Sequence, residues 1–248
     1  IVMMALEGAT LLNSAGFLLG FPGLFLLVAG RSLLFRAIAR AGALARRDMQ
    51  AEPRTLSGRY RRWPALYLRP FAEDWRVLRD LRDRVVSLLL ARPLPRRLEE
   101  IIADSVFRRR PLVALGNPAE GGLAGAAKTY VADEAWRATV EELIGGSDVV
   151  ILVVGSTPNI RWEAERIQQA GRLSQTIFVV PAAGAALDGF IANNPEVATA
   201  FALPGLADRA RLLLFYVDTQ GRPTLLMSST RSVTAYELAL DIATSAVG

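Results

Sequence analysis

From residue 65 onward the chain alternates short apolar runs with longer stretches of mixed polarity. Residues 65–68, 112–115, 149–154, 177–180 and 212–217 form the apolar runs. Most are rich in β-branched or bulky side chains and carry no internal polar alternation, the pattern of strands covered on both faces. Residues 76–91 and 95–108 read as helices filling the first crossover. In 133–144, Trp136, Val140, Leu143 and Ile144 fall on one helical face, and Gly145-Gly146 follows as a stop. Residues 159–173 and 232–246 are two further helices. Residues 219–222 read as a turn into a sixth strand, 224–227. The succession predicts a three-layer α/β domain with a mostly parallel sheet. Such sheets bind ligands beyond the carboxyl ends of their strands.

The N-terminal part follows a different pattern. Residues 8–30 contain no charge. As a helix the run would be about 34 Å long, enough to span a hydrocarbon core. Gly16, Gly20, Pro22 and Gly23 are better tolerated in a membrane helix than in a soluble one. The expectation is a transmembrane helix within residues 1–30, with the lipid bilayer as partner. Residues 1–6 are also apolar and the chain opens Ile-Val-Met-Met, which raises the expectation of an earlier membrane segment before Ile1. Arg31, Arg36, Arg40, Arg46 and Arg47 follow the run, with no acid before Asp48. Basic residues this close to a span stay on the cytoplasmic side. Residues 31–64 then read as a basic juxtamembrane linker, with Pro53, Gly58 and Pro64 breaking any period. Residues 65–248 read as a cytosolic domain beneath the inner membrane.

Composition narrows the chemistry. The chain has no His and no Cys, which removes imidazole and thiolate catalysis and the usual metal ligands; no metal or obligatory cofactor is expected. Carboxylates, hydroxyls, Arg, one Lys and backbone dipoles remain. The net charge is +5, but the basic residues show no interleaving with stacking aromatics, so nucleic acid is not an expected partner. Residues 122–129, GLAGAAKT, imitate a phosphate-binding loop with Ala127 in place of its last glycine. That loop needs a strand directly before it and a helix directly after. Here residues 130–132 read as extended, and residues 116–132 are expected to form a long surface loop. A lid over a ligand suits a loop of that length. Lys128 is either an anion contact or simply solvated.

Three segments converge at the carboxyl edge of the expected sheet: 66–74 (LYLRPFAED), 116–120 (GNPAE) and 155–165 (GSTPNIRWEAE). Thr157-Pro158 supplies a helix start. Glu163 and Glu165 lie about 200° apart on the following helix. Glu163 shares a stripe with Ile167 and Ala170 and faces inward; Glu165 shares one with Gln168, Gln169 and Arg172 and faces solvent. An inward carboxylate marks either a functional site or a favourable first-turn interaction with the helix dipole, worth about 0.3–1 kcal/mol. Arg69 is a candidate for phosphate. Glu73 and Asp74 suit ribose hydroxyls, with helix capping the other role for Asp74. Phe71 and Trp162 could sandwich a base, and Trp162 equally suits packing. Gly116, Asn117, Gly155 and Ser156 complete the candidate ligand-binding set.

In their order along residues 66–181, LYLRPFAED and VVILVVGSTPNIRWEAE resemble TIR-like domains, and the Trp-Glu pair looks like that of nucleoside 2-deoxyribosyltransferases. RPFAEDW, ALGNPAE, KTYVADEAW and RWEAERI together resemble a family of bacterial membrane-anchored proteins. The resemblance implies a flavodoxin-like, TIR-like nucleotide domain acting in signalling. It also implies hydrolysis of the N-glycosidic bond of NAD or a related nucleotide, with Glu163 as the catalytic carboxylate that stabilises an oxocarbenium-like transition state. TIR domains usually place that Glu a helical turn beyond the Trp, whereas here it adjoins Trp162, and Arg69 stands where a serine is common. A non-catalytic module that senses a nucleotide or self-associates into a homo-oligomer is the other expectation.

Overall fold

A computed structural model describes Gly30 and residues 65–70, 77–78, 96–107, 109, 112–116, 127–130, 136–181 and 184–247. The chain falls into two units, Ile1–Gly42 with Leu81–Leu94 and Ala43–Asp80 with Pro95–Gly248. Every strand and helix named below belongs to the second; of the first, only Gly30 is described. Among the described residues no helix is long and apolar enough to cross a membrane. The charge-free run 8–30 lies outside them apart from Gly30.

The strands are β1 (Ala65–Leu68), β2 (Val77–Leu78), β3 (Arg96–Arg97), β4 (Leu112–Gly116), β5 (Ala127–Tyr130), β6 (Val150–Val153), β7 (Thr176–Val179), β8 (Leu212–Val217) and β9 (Pro223–Met227). The helices are α1 (Leu98–Phe107), α2 (Trp136–Gly146), α3 (Pro158–Gln169), α4 (Gly184–Asn193), α5 (Pro195–Ala200) and α6 (Val233–Ala246). Seven strands form one sheet in the order β5-β4-β1-β6-β7-β8-β9. It is parallel from β5 to β7, and β8 and β9 complete it antiparallel. β2 and β3 pair separately as a short antiparallel ribbon. The mixed α/β architecture with a mostly parallel sheet agrees with the apolar pattern. β1, β6 and β7 are buried at every position, as runs without polar alternation require.

Helices cover both faces. On the first, Ile101, Ile102 and Val106 of α1 and Tyr236, Leu240 and Ala243 of α6 pack over Tyr67, Ile151 and Val179. On the second, Val140 and Ile144 of α2, Ile160, Ala164 and Ile167 of α3, Phe190 of α4 and Val197 of α5 pack over Leu66, Leu68, Leu152 and Phe178. Phe178 and Phe215 stack on adjacent strands with centroids 4.8 Å apart, and Phe201 meets Phe215 edge-on at 4.8 Å. Such aromatic pairs add about 0.5–1.5 kcal/mol beyond the area they bury.

Three expectations are corrected. Residues 127–130 are not loop: they are the edge strand β5, with Lys128 opposite Ala114 and Thr129 opposite Leu115. The last letters of GLAGAAKT therefore lie in a ladder rather than at a helix N-terminus, so the phosphate-loop geometry is absent. Thr129 and Tyr130 favour strand, and β4 offers the backbone partners. Second, Val77 and Leu78 pair with β3 instead of opening a helix; most of 76–91 lies outside the described residues. Third, α4 and α5 occupy residues that gave no helical signal. Gly184, Gly189 and the Asn194-Pro195 break dilute their period.

The sheet order sets the place of interest. From β1 the chain goes to β4 on one side, while β6 and β7 extend the other side. The wind reverses between β1 and β6, so their carboxyl ends border the crevice where such sheets hold ligands.

Candidate functional site at the β1–β6 junction

β1 leaves the sheet through Leu68-Arg69-Pro70, and β6 leaves through Val154-Gly155-Ser156. The two exits touch. A Cβ on Gly155 would stand 2.9 Å from Pro70 Cγ, so only glycine fits without displacing the proline ring. On its other side the β6 exit meets α4. A Cβ on Gly189 would come within 2.5 Å of Ser156 Cβ, and Asn193 Nδ2 donates to the Ser156 carbonyl at 3.2 Å. The Gly155–Ser156 turn is thus clamped between Pro70 and α4, although Ser156 itself remains exposed.

α3 begins directly after this turn. Thr157 is its N-cap, its hydroxyl accepting from Ile160 N at 3.4 Å, and Pro158 occupies the first helical position. Ile160, Glu163, Ala164 and Ile167 are the buried residues of the helix. Glu163 is 3 % exposed. Its Oε2 has no hydrogen-bond partner among the described residues. Burial alone holds its carboxyl well above the ordinary carboxylate range. With Thr157 as cap, Glu163 sits in the second turn, beyond the reach of a first-turn dipole effect. The helix has no acid in its first turn. The inward orientation expected of Glu163 is therefore present, and the dipole explanation for it is not.

The flank of α3 toward α2 is occupied by aromatic and ionic contacts. Trp162 and Trp136 lie 5.3 Å apart, the guanidinium groups of Arg137 and Arg166 each stand 5.5 Å from the Trp162 ring, and Arg166 Nε lies 3.2 Å from Glu141 Oε1. Helical spacing sets Glu163 between this flank and the Ile160–Ala164–Ile167 stripe. Trp162 is thus a packing residue between α2 and α3, one of the two roles expected for it. Glu165 pairs with Arg161 at 2.9 Å on the solvent side, as its stripe indicated. Arg172, expected beside Glu165 on the solvent side, instead binds the end of α2, with Nε on Ile144 O at 3.2 Å and NH2 on Ser147 O.

Arg69 is buried and its NH1 lies 3.3 Å from Glu99 Oε2 in the first turn of α1. Arg69 reaches α1, which packs on the first face of the sheet, whereas Glu163 is carried by α3, which packs on the second. Glu99 is a residue that sequence reasoning missed. Arg69 continues the alternation of Ala65 and Tyr67 toward α1, and a buried guanidinium demands a carboxylate there. Tyr67 beside them has its phenol pKa raised, chiefly by burial and then by the Glu99 charge, against the opposing influence of Arg69. Gly116 ends β4 opposite Tyr130. Phe71, Glu73, Asp74 and Asn117 lie outside the described residues. Among the described residues no cluster of acids could hold a metal ion.

No family model, curated protein or solved structure matches the chain.

Proposed function

We propose that residues 65–248 form a TIR-like nucleotide-binding domain that works at the cytosolic face of the membrane, anchored by the 8–30 run. In this reading Glu163 acts on the N-glycosidic bond of NAD or a related nucleotide. The carrying observation is the buried carboxyl of Glu163, whose Oε2 has no hydrogen-bond partner among the described residues, on the helix that leaves β6 where the sheet reverses its wind. A charged carboxylate without compensation is costly in such a place, and a ligand that brings positive charge to it would supply that compensation. With β5 set aside as an added edge strand, the inner parallel strands run β4-β1-β6-β7, the 2-1-3-4 order of flavodoxin-like sheets. That order supports the TIR-like assignment.

The chemistry follows from the environment. Burial raises the pKa of the carboxyl well above the ordinary carboxylate range. A ribosyl centre gaining positive charge opposite it would favour the ionised form, and the resulting carboxylate would stabilise that charge. The electron pair of the C1′–N bond leaves with the base, water adds to C1′, and one proton goes to solvent. No catalytic cofactor is needed. Incubating the 248-residue chain, purified in neutral detergent, with NAD tests this by the nicotinamide released. The expected result is turnover that Glu163→Gln abolishes; absence of turnover in the parent chain removes the enzyme reading.

A second reading rests on the clamped Gly155–Ser156 turn, the enclosed Trp162 ring and the charge of Arg69 met by Glu99. These fit a non-catalytic module that senses a nucleotide or self-associates. It predicts calorimetric binding of NAD, ADP-ribose or a cyclic nucleotide, or growth of scattering mass, without nicotinamide release.

A further inference from the structure

Glu163 is 3 % exposed, so a solute touches its carboxyl only when a neighbouring element moves. Toward the sheet, Ile160, Ala164 and Ile167 fix α3 in the apolar core. Toward α4 and α5, Asn193 Nδ2 donates to Ser156 O and Gln168 Nε2 to Glu196 Oε2. Helical spacing puts Glu163 on the other side of the Ile160–Ala164–Ile167 stripe from Gln168, the side of Arg166, and so toward the seam with α2. Contacts along this seam advance in step on both helices. Trp136 meets Trp162, Glu141 meets Arg166, and Ile144 and Ser147 meet Arg172. The two helices therefore run parallel, and Glu163 sits at the level of the start of α2. The far end of the seam is pinned, because Arg172 donates to the backbone carbonyls of Ile144 and Ser147. At the near end, half-buried Trp136 meets half-buried Trp162, and the exposed Arg137 guanidinium stands 5.5 Å from the Trp162 ring. The buried residues of α2 are Val140 and Ile144. Its first turn, ahead of Val140, contributes none.

We propose that the first turn of α2 is a gate over Glu163. It swings away from α3 about the part of the helix held by Val140, Ile144 and Arg172, and Arg137 stacked on Trp162 is its latch. A helix end with no buried residue opens at low free energy, whereas the core stripe of α3 opens only with the whole fold. An exposed cation–π contact is weak enough to release and strong enough to favour the closed form. Closed, the turn keeps water from the carboxyl; open, it gives a solute a path to it. That a nucleotide is what enters rests on the proposed function of Glu163; the opening itself does not.

The chain has no cysteine, so one introduced thiol reports its own accessibility. Glu163→Cys, Ala164→Cys and Arg161→Cys are made singly in the 248-residue chain in neutral detergent, and the rate of reaction with an aromatic disulfide reagent is followed without nucleotide. Ala164 is buried on the core stripe and Arg161 is exposed. Each is repeated with Ala138→Gly, which weakens the first turn of α2 at an exposed position without removing any side chain over Glu163, and with Arg137→Ser, which removes the latch. The thiol at 163 is expected to react more slowly than that at 161 and faster than that at 164. Ala138→Gly and Arg137→Ser should each speed it by about five-fold and leave the thiol at 164 unchanged, with circular dichroism unaltered. A thiol at 163 as inert as that at 164, as reactive as that at 161, indifferent to both substitutions, or accelerated only together with that at 164 would each overturn the proposal. No nucleotide enters the assay, so its outcome is separate from any result with NAD.

Discussion

Glu163 and Arg69 are both buried ionisable groups, but they are handled differently. Arg69 is met by Glu99; Glu163 has no hydrogen-bond partner among the described residues. Removing one member of a buried pair strands the other. Arg69→Ala should cost about 3–5 kcal/mol of unfolding free energy in denaturant titration, and a combined Arg69→Met, Glu99→Leu chain should recover most of it. Glu163→Gln should behave oppositely. Near the ordinary value of 4.5 and below, folded and unfolded chains both hold the proton. Above it the unfolded chain releases the proton while the folded chain keeps it, so the parent loses stability relative to Gln by about 1.4 kcal/mol per pH unit. That loss ends at the raised folded value. Thermal melts should show a gap in favour of Glu163→Gln that widens as pH rises above 4.5. A gap independent of pH would place the carboxyl in a solvated setting. The inward orientation of Glu163 was legible from the stripe it shares with Ile167, although Ala170, placed on the same stripe, is exposed where the helix ends. The partner of Arg69 was not, because Glu99 lies 30 residues away and is brought close only by the packing of α1.

At the scale of elements, exits and caps hold the carboxyl edge together. Arg231, just before α6, donates to Val180 O at 3.2 Å, Pro181 O at 2.9 Å, Ala210 O at 3.0 Å and Leu212 O at 2.9 Å, and also to Tyr236 Oη at 2.9 Å. One guanidinium thus ties the end of β7 to the start of β8 and to α6. Arg231→Ala leaves several of these carbonyls unmet and should cost about 3 kcal/mol by chemical denaturation, since hydrogen bonds to a charged group are each worth about 1.5–3 kcal/mol. Gly189 is the corresponding point on α4. Gly189→Ala forces its methyl against Ser156 Cβ at 2.5 Å, and overpacking of this kind costs about 1–3 kcal/mol despite the helix preference for alanine. The buried strands β1, β6 and β7 were legible because two-sided burial leaves a continuous apolar signature. β5 was not, since its four residues follow a run of small residues and its pairing with β4 is non-local. α4 and α5 were hidden by their glycines and by Pro195. Arg231 gave no signal at all, its partners being backbone carbonyls on other elements.

At the scale of the whole molecule, the parallel half of the sheet supplies a point where the wind reverses, and the antiparallel half supplies an edge. That point lies between β1 and β6, with the Arg69–Glu99 pair at the exit of β1 and Glu163 buried on the helix that follows β6. The edge is β9. The mostly parallel architecture was legible from the alternation of runs, whereas the edge strand opposite β9 and the clamp of α4 on the β6 exit depended on packing between distant segments. The most direct test of the central claim, that Glu163 faces a nucleotide, is calorimetric titration of NAD and ADP-ribose into the 248-residue chain and its Glu163→Gln form. Saturable binding of NAD by the parent, weakened about ten-fold or more in the variant, a difference of about 1.4 kcal/mol, is the predicted result. Binding of neither compound by the parent, or equal binding by both chains, would contradict it.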